Sequence, residues 1–245
     1  MKDFGPSTYG DKIAEVYDEL YGQAFDVEGT VALLPELARG GPALELGIGT
    51  GRIALPLAAR GVKVQGIDAS QAMVAQLRKK PGGKDITVTM GNFADLNVRG
   101  KFALVFVVFN TFFGLDTQDA QVRCFENVAK RLRPGGLFLI EAFVPDLTRN
   151  LRGQNLTTRH VGLDEVRLEA TRFDPVNQAV TSQHVHITEA GTRLYPVKLR
   201  YAFPSELDLM ARIAGMRLKY RWGGWRREPF MAASTSHVSV YEKAS

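Results

Sequence analysis

Glu45, Gly47, Gly49, Gly51 and Asp68 are the residues whose types and spacing could do chemistry in this 245-residue chain. The glycines alternate in Leu44-Glu45-Leu46-Gly47-Ile48-Gly49-Thr50-Gly51-Arg52, behind a hydrophobic lead. A strand that ends in glycines and opens a helix brings backbone N–H groups up to a ligand, because the missing Cβ atoms allow the approach. Two frames fit the stretch. Gly49 to Ala54 satisfies G-x-G-x-x-A, a dinucleotide fingerprint. Starting at Gly47 gives E-x-G-x-G-x-G instead, with Glu45 inside the strand. A pyrophosphate would meet a like charge there, whereas a cationic ligand would find a partner. Asp68 follows Gly51 by 17 residues, at the end of Val64-Gln65-Gly66-Ile67. An acid in that place can accept hydrogen bonds from both hydroxyls of a ribose, and Ser70 is free to serve as the helix N-cap.

The elements that must position these residues follow from periodicity. Strand-like apolar runs at 43–46, 62–67, 86–90, 102–109 and 137–143 alternate with helical patterns at 53–60, 70–80 and 119–132. The rhythm predicts an α/β fold with a doubly wound, mostly parallel sheet. Pro56 falls within the helix after the glycine turn, so that helix is either kinked or irregular in its first turn. Beyond Pro145 the pattern changes to period two, at 165–170, 181–187 and 197–201, as in half-exposed antiparallel strands. A helix at 205–213 and strands at 216–222 and 237–242 close the chain. The organisation expected is an N-terminal helical lid (1–40), an α/β core (41–148 and 204–245) and a small antiparallel insertion (149–203).

Bulk properties narrow the function classes. The net charge is +5, with the densest basic cluster near Arg217–Arg227. Nucleic-acid binding would need basic residues interleaved with aromatics over a continuous surface, which makes it the weaker reading. The single cysteine, Cys124, excludes an internal disulfide and reads as a small buried hydrophobe. No signal-peptide core or apolar run of membrane-spanning length is present, so a cytoplasmic protein is expected. No histidine pair has zinc-ligand company, and no metal is expected.

The combination of ELGIGTG, GIDAS, GNFADL and LRPGG before a fifth strand resembles the class I S-adenosylmethionine-dependent methyltransferases. The resemblance covers residues 8 to 143. It implies a Rossmann-like sheet of seven strands and S-adenosyl-L-methionine as cofactor. It sets Glu45 near the charged methionine part, Gly47, Gly49, Gly51 and Arg52 at the turn beneath it, and Asp68 on the ribose. Ala69 and Met73 then border the adenine, Asn92 and Phe93 read its edge, and Val108 and Phe109 complete the pocket. Asn92 departs from the Asp common among relatives.

The acceptor is less legible. Methyl transfer from a sulfonium is an in-line displacement that mainly requires alignment. Asn110-Thr111-Phe112-Phe113 starts and ends like the tetrad that methylates base amines but has no prolines, which argues against nucleic acid. Asn110 and Phe113 are expected to contact the substrate. His160, with Glu141 and Asp146 as rivals, is the expected general base, and Asp146 and Tyr21 are further substrate contacts. His184 and His186 share a strand face expected to meet solvent. The tyrosine-rich N-terminal region, the inserted strands and the ending GGW…HVSVYEK resemble small-molecule N-methyltransferases of antibiotic and aminosugar biosynthesis. That likeness implies that Tyr9 and Tyr17 cover the cofactor and that the acceptor is an amine. The alternatives are a small-molecule O-methyltransferase, an rRNA or tRNA methyltransferase, and a dinucleotide-binding protein. The inserted strands offer edges through which two copies could pair.

Overall fold

A computed structural model describes residues 4–22, 25–146 and 153–243; the expected boundary between core and insertion at 148/149 lies outside them. Strands β1 (Ala43–Leu46), β2 (Val64–Asp68), β3 (Thr87–Met90), β4 (Phe102–Val107) and β5 (Leu132–Phe143) run parallel. Two more strands, Met216–Trp222 and Ser236–Lys243 (β10 and β11), extend the sheet antiparallel to β5. The order is β10-β11-β5-β4-β1-β2-β3. β1 therefore pairs with β2 on one side and β4 on the other. In an open parallel sheet this is the place where a ligand crevice opens at the carboxyl ends of the strands.

Period-two alternation explains why β4 is apolar throughout. Val105 and Val107 join one core cluster, while Leu104 and Phe106 join the cluster on the opposite face. The first cluster packs under α6 (Gln118–Arg131) and α7 (Pro204–Ile213), the second under α3 (Val27–Ala38) and α4 (Ala54–Ala59). Phe125 lies edge-on to Phe138 at 5.1 Å and to Phe112 and Tyr241 at 5.5 Å each. Such contacts add about 1 kcal/mol apiece beyond area burial.

Pro56 proves compatible with its helix because α4 starts only at Ala54. It sits in the first turn, where a missing N–H removes no ladder bond. The turn before it is irregular, which settles the choice between a kink and an irregular start. Ser70 caps α5 (Gln71–Lys79), its hydroxyl accepting from the Met73 N–H at 3.1 Å.

The N-terminal tyrosines lie in the helical region expected for them, divided between two short helices, α1 (Thr8–Ile13) and α2 (Tyr17–Tyr21). The insertion holds four strands rather than three: β6 (Gln154–Val161), β7 (Glu165–Asp174), β8 (Ala179–Thr188) and β9 (Gly191–Arg200), antiparallel in that order. The extra strand, β6, carries His160. Ile13, Ala14, Met73 and Tyr195 form a small buried cluster against which Tyr9, Tyr17 and Tyr21 pack. The N-terminal helices are thereby held between α5 of the core and β9 of the insertion.

Candidate active site

The glycine turn is tight for physical reasons. Gly47 and Gly51 have φ of 71° and 78°, in the left-handed region. A Cβ on Gly47 would stand 2.5 Å from Thr111 Cγ2, and one on Gly51 would stand 2.3 Å from Leu77 Cδ1. Only glycine allows both the backbone conformation and the packing. The Gly49 N–H turns to Asp68, donating to Oδ2 at 2.7 Å, and the Ser70 N–H donates to Oδ1 at 2.8 Å. Each carboxylate oxygen keeps a lone pair for a further donor. Burial raises the Asp68 pKa despite these N–H bonds.

Above the turn lies a cavity of about 400 Å³. Its wall includes Tyr9, Tyr17, Glu45, Gly47, Gly49, Arg52, Asp68, Ala69, Met73, Asn92, Phe93, Val108 and Phe109, all expected from sequence to meet the cofactor. Gly51 does not reach the wall; it lies beneath, against Leu77 and Leu55. Asn92 uses its Oδ1 to accept from the Ala94 N–H at 2.9 Å, which leaves its amide N–H₂ for a ligand.

Two buried polar atoms of this wall have no partner, Glu45 Oε2 and Arg52 Nη2. Burial pushes the Glu45 carboxyl well above its usual range, and the nearby Asp68 charge adds to this; the Ala54 N–H only partly offsets it. Arg52 is caged by the rings of Tyr17, Phe25 and Phe109, with Cζ 4.7, 5.4 and 5.3 Å from their centroids. Its Nη1 donates to the Tyr21 carbonyl at 2.7 Å. An unpaired buried acid beside an unpaired buried guanidinium suits a ligand that carries both a cation and a carboxylate. S-adenosylmethionine is such a ligand, and it carries a ribose besides.

The N-terminal helices are fastened over this site by polar contacts. Ser70 Oγ donates to Asp11 Oδ1 at 2.6 Å, and Thr50 Oγ1 donates to Asp18 Oδ1 at 2.7 Å. Lys80 pairs with the second Asp18 oxygen at 2.6 Å.

The expected catalytic groups are placed differently. Tyr21 and Asn110 line the cavity; Phe113, Glu141, Asp146 and His160 do not. Phe113 is fully buried in the core. Glu141 accepts from the Phe109 N–H at 2.5 Å, and burial lifts its pKa to about 7. The Phe143 N–H donates to Asn110 Oδ1 at 2.7 Å. Glu141 and Asn110 thus hold Phe109 and Asn110 at φ of 57° and 63°, a left-handed pair that non-glycine residues rarely adopt. His160 stands on the edge strand β6, its Nε2 3.3 Å from Glu165 Oε1, with a side chain 48% exposed. It has no line to the cavity.

His184 corrects the expectation in the other direction. The β8 face read as solvent-facing is turned toward the N-terminal helices, so His184 lines the cavity. Its Nδ1 lies 3.3 Å from the Tyr21 hydroxyl. Sequence reading also passed over Phe25, Thr111, Asp116, Val197, Lys198 and Leu199 in the wall. A polar sheet face can roof a site as readily as meet water, and period-two patterning does not separate the cases.

Comparisons with known proteins agree with this geometry. Residues 43–136 match the methyltransferase domain family. The CcbJ methyltransferase of Streptomyces caelestis superposes with a TM-score of 0.93 at 40% identity, covering 99% of this chain and 100% of that one. The cypemycin N-terminal methyltransferase of a Streptomyces species is 28% identical over 243 residues, which is 97% of this chain and 98% of the relative. The sugar N-methyltransferase KedS8 of Streptoalloteichus shares the fold, with a TM-score of 0.69 at 18% identity over 100% of this chain and 99% of the other. An alternating glycine turn under a cavity walled by Glu45, Arg52 and Asp68, on a chain matched end to end by a methyltransferase at this identity, leaves one conclusion: the chain belongs to the S-adenosylmethionine-dependent methyltransferases.

Proposed function

We propose that this methyltransferase acts on an amine nitrogen of a small antibiotic or aminosugar-type metabolite. The observation that carries the reading is the remainder of the cavity wall. Beyond the residues expected to meet the cofactor, Tyr21, Asn110, Asp116 and His184 line it together with Val197, Lys198 and Leu199 of β9, and the cavity is mainly apolar. Such a chamber fits one compact organic group and has no open groove for a nucleic-acid strand. The relatives support it, since one is described as acting on an N-terminus and another on a sugar nitrogen.

In this reading Glu45 holds the cationic end of the methionine part and Arg52 its carboxylate. Asp68 takes the ribose hydroxyls, and Ala69, Met73, Asn92 and Phe93 surround the adenine. Bound, S-adenosylmethionine supplies an activated methyl on sulfur. The left-handed Phe109–Asn110 pair shapes the wall at that methyl, and the tyrosines exclude water, so alignment supplies most of the rate. The protein acts in the cytoplasm, and the open edge of β6 can join two copies. Among the described residues, no helix is long and apolar enough to cross a membrane.

Incubation with methyl-labelled cofactor and a panel of primary and secondary amines, hydroxyl analogues and short RNAs tests the reading by mass spectrometry. Label on amine nitrogen is expected. Label confined to hydroxyls or RNA would refute it.

A further inference from the structure

We propose that His184, braced by Glu169 and reached through the Tyr21 hydroxyl, accepts the proton that the acceptor ammonium must lose before it can be methylated. The inference rests on the amine reading above. An amine of ordinary basicity is protonated at neutral pH, and its nitrogen then has no lone pair to offer. A group in the cavity that can take that proton lets the abundant ammonium form be used directly. Neither His160 nor Glu141 lines the cavity, so the sequence-based candidates do not serve.

The sheet register builds the alternative. Glu169 of β7, His184 of β8 and Tyr195 of β9 stand directly opposite one another across three strands. Neighbours so paired share one sheet face. His184 Nε2 lies 3.7 Å from Glu169 Oε1, too long for a hydrogen bond but close enough to favour a proton on Nε2. Glu169 is fixed in turn by Arg159, whose Nε donates to Oε2 at 2.6 Å. The Nδ1 lone pair is left for the Tyr21 hydroxyl at 3.3 Å. Tyr9, on α1, stands close enough to act on the Tyr21 hydroxyl. A run of polar groups thus leads from the cavity roof to a carboxylate.

The charged and titratable groups facing His184 are Tyr21 from α2, Glu169 from β7, Arg159 behind it on β6, and Tyr195 from β9. Burial lowers the His184 pKa; Glu169 opposes this and Arg159 adds to it. The shift favours the neutral imidazole, the form that can accept a proton. The ammonium nitrogen passes a proton to the Tyr21 oxygen as the Tyr21 proton moves to His184 Nδ1. The freed nitrogen lone pair then forms the N–C bond while the C–S pair returns to sulfur. The His184 side chain is 31% exposed, which gives the proton a route to water.

Two measurements test this on the full chain, the first with the site saturated by S-adenosylhomocysteine and the second with S-adenosylmethionine as the methyl donor. Imidazole ¹H–¹⁵N spectra, with His184 identified by its loss in His184→Gln, are expected to show a neutral ring protonated on Nε2 at pH 7.5. A ring protonated on Nδ1, or an imidazolium at that pH, would overturn the proposal. With an amine that the wild type methylates, His184→Gln is expected to lower kcat about 100-fold and to remove the acid limb of the kcat profile. Amine KM and S-adenosylhomocysteine affinity should stay within about twofold, and Glu169→Gln should shift the limb. His186→Gln, on the same strand outside the cavity, should match the wild type. An unshifted limb with kcat within about threefold of wild type in His184→Gln would also overturn the proposal. A wild type that methylates no amine defeats the amine reading instead, and the ring tautomer still decides whether His184 can accept.

Discussion

The two halves of the cavity are made of different materials. The cofactor half, as proposed, centres on one continuous stretch of chain, residues 43 to 73, closed by Tyr9, Tyr17, Asn92, Phe93, Val108 and Phe109 from elsewhere, and its centre works largely through backbone: glycine φ values, N–H groups aimed at Asp68, and an acid inside a strand. The acceptor half is assembled from α1, α2, the loop after β4, and strands β8 and β9, and works through side chains. The first kind of site tolerates little change because its geometry is the fold itself. The second can be refitted one side chain at a time, which suits a shared cofactor and a variable acceptor.

Four measurements can break or sharpen this contrast, the largest effect first. Asp68→Ala should weaken S-adenosylhomocysteine binding about 1,000-fold by calorimetry, the loss of two hydrogen bonds to a charged acceptor. Affinity within threefold of wild type would mean the backbone half does not hold the ribose. Next comes Glu141→Gln, followed by urea unfolding across pH. Burial raises the Glu141 pKa from 4.5 to about 7. Its contribution is therefore fully present below pH 4.5 and is lost as pH rises through about 7. The wild type should lose about 3 kcal/mol relative to the variant over that window. His237, whose pKa burial lowers to about 4, acts with the opposite sign but is common to both proteins. A parallel pair of curves would show that Glu141 is not buried as described.

Gly51→Ala should cost about 2 kcal/mol, since a left-handed φ and a clash with Leu77 coincide there. The melting temperature should drop by roughly 4–8 °C. Leu163→Ala in the insertion, at a position 98% exposed, should leave it unchanged. Equal shifts would mean that the glycine turn is no more constrained than an exposed loop. The smallest effect is expected at the cavity mouth. Lys198 and Asp116 pair at 2.7 Å with side chains 36% and 40% exposed. Lys198→Ala should change amine KM by no more than about threefold, and less in high salt.

The same contrast governs what could be read from sequence. The parallel strands, the glycine turn, Ser70 as a cap and the ring of residues around Asp68 were legible because local spacing dictates them. His184 was not. Its strand alternates as a half-exposed strand should, and which face meets solvent depends on two tyrosine helices more than 160 residues earlier in the chain. Glu141 misled for a related reason. It stands at the right end of β5, but its carboxyl turns to the Phe109 N–H, and only the left-handed backbone at 109–110 explains why. The fourth insertion strand escaped notice because Gln154–Val161 is almost wholly exposed and lacks an apolar face.

Arg52 belongs to both halves at once. One arm of its guanidinium grips the carbonyl of Tyr21, the residue that roofs the acceptor chamber, and the other is unpartnered within the cofactor site. A carboxylate on the free arm fixes the plane of the whole fork, and with it the tie to Tyr21. In the proposed reading, loading one ligand is then expected to change the free energy of seating the other. Linkage would make the exchange mutual: whatever factor S-adenosylmethionine adds to the affinity for the acceptor, the acceptor returns to S-adenosylmethionine.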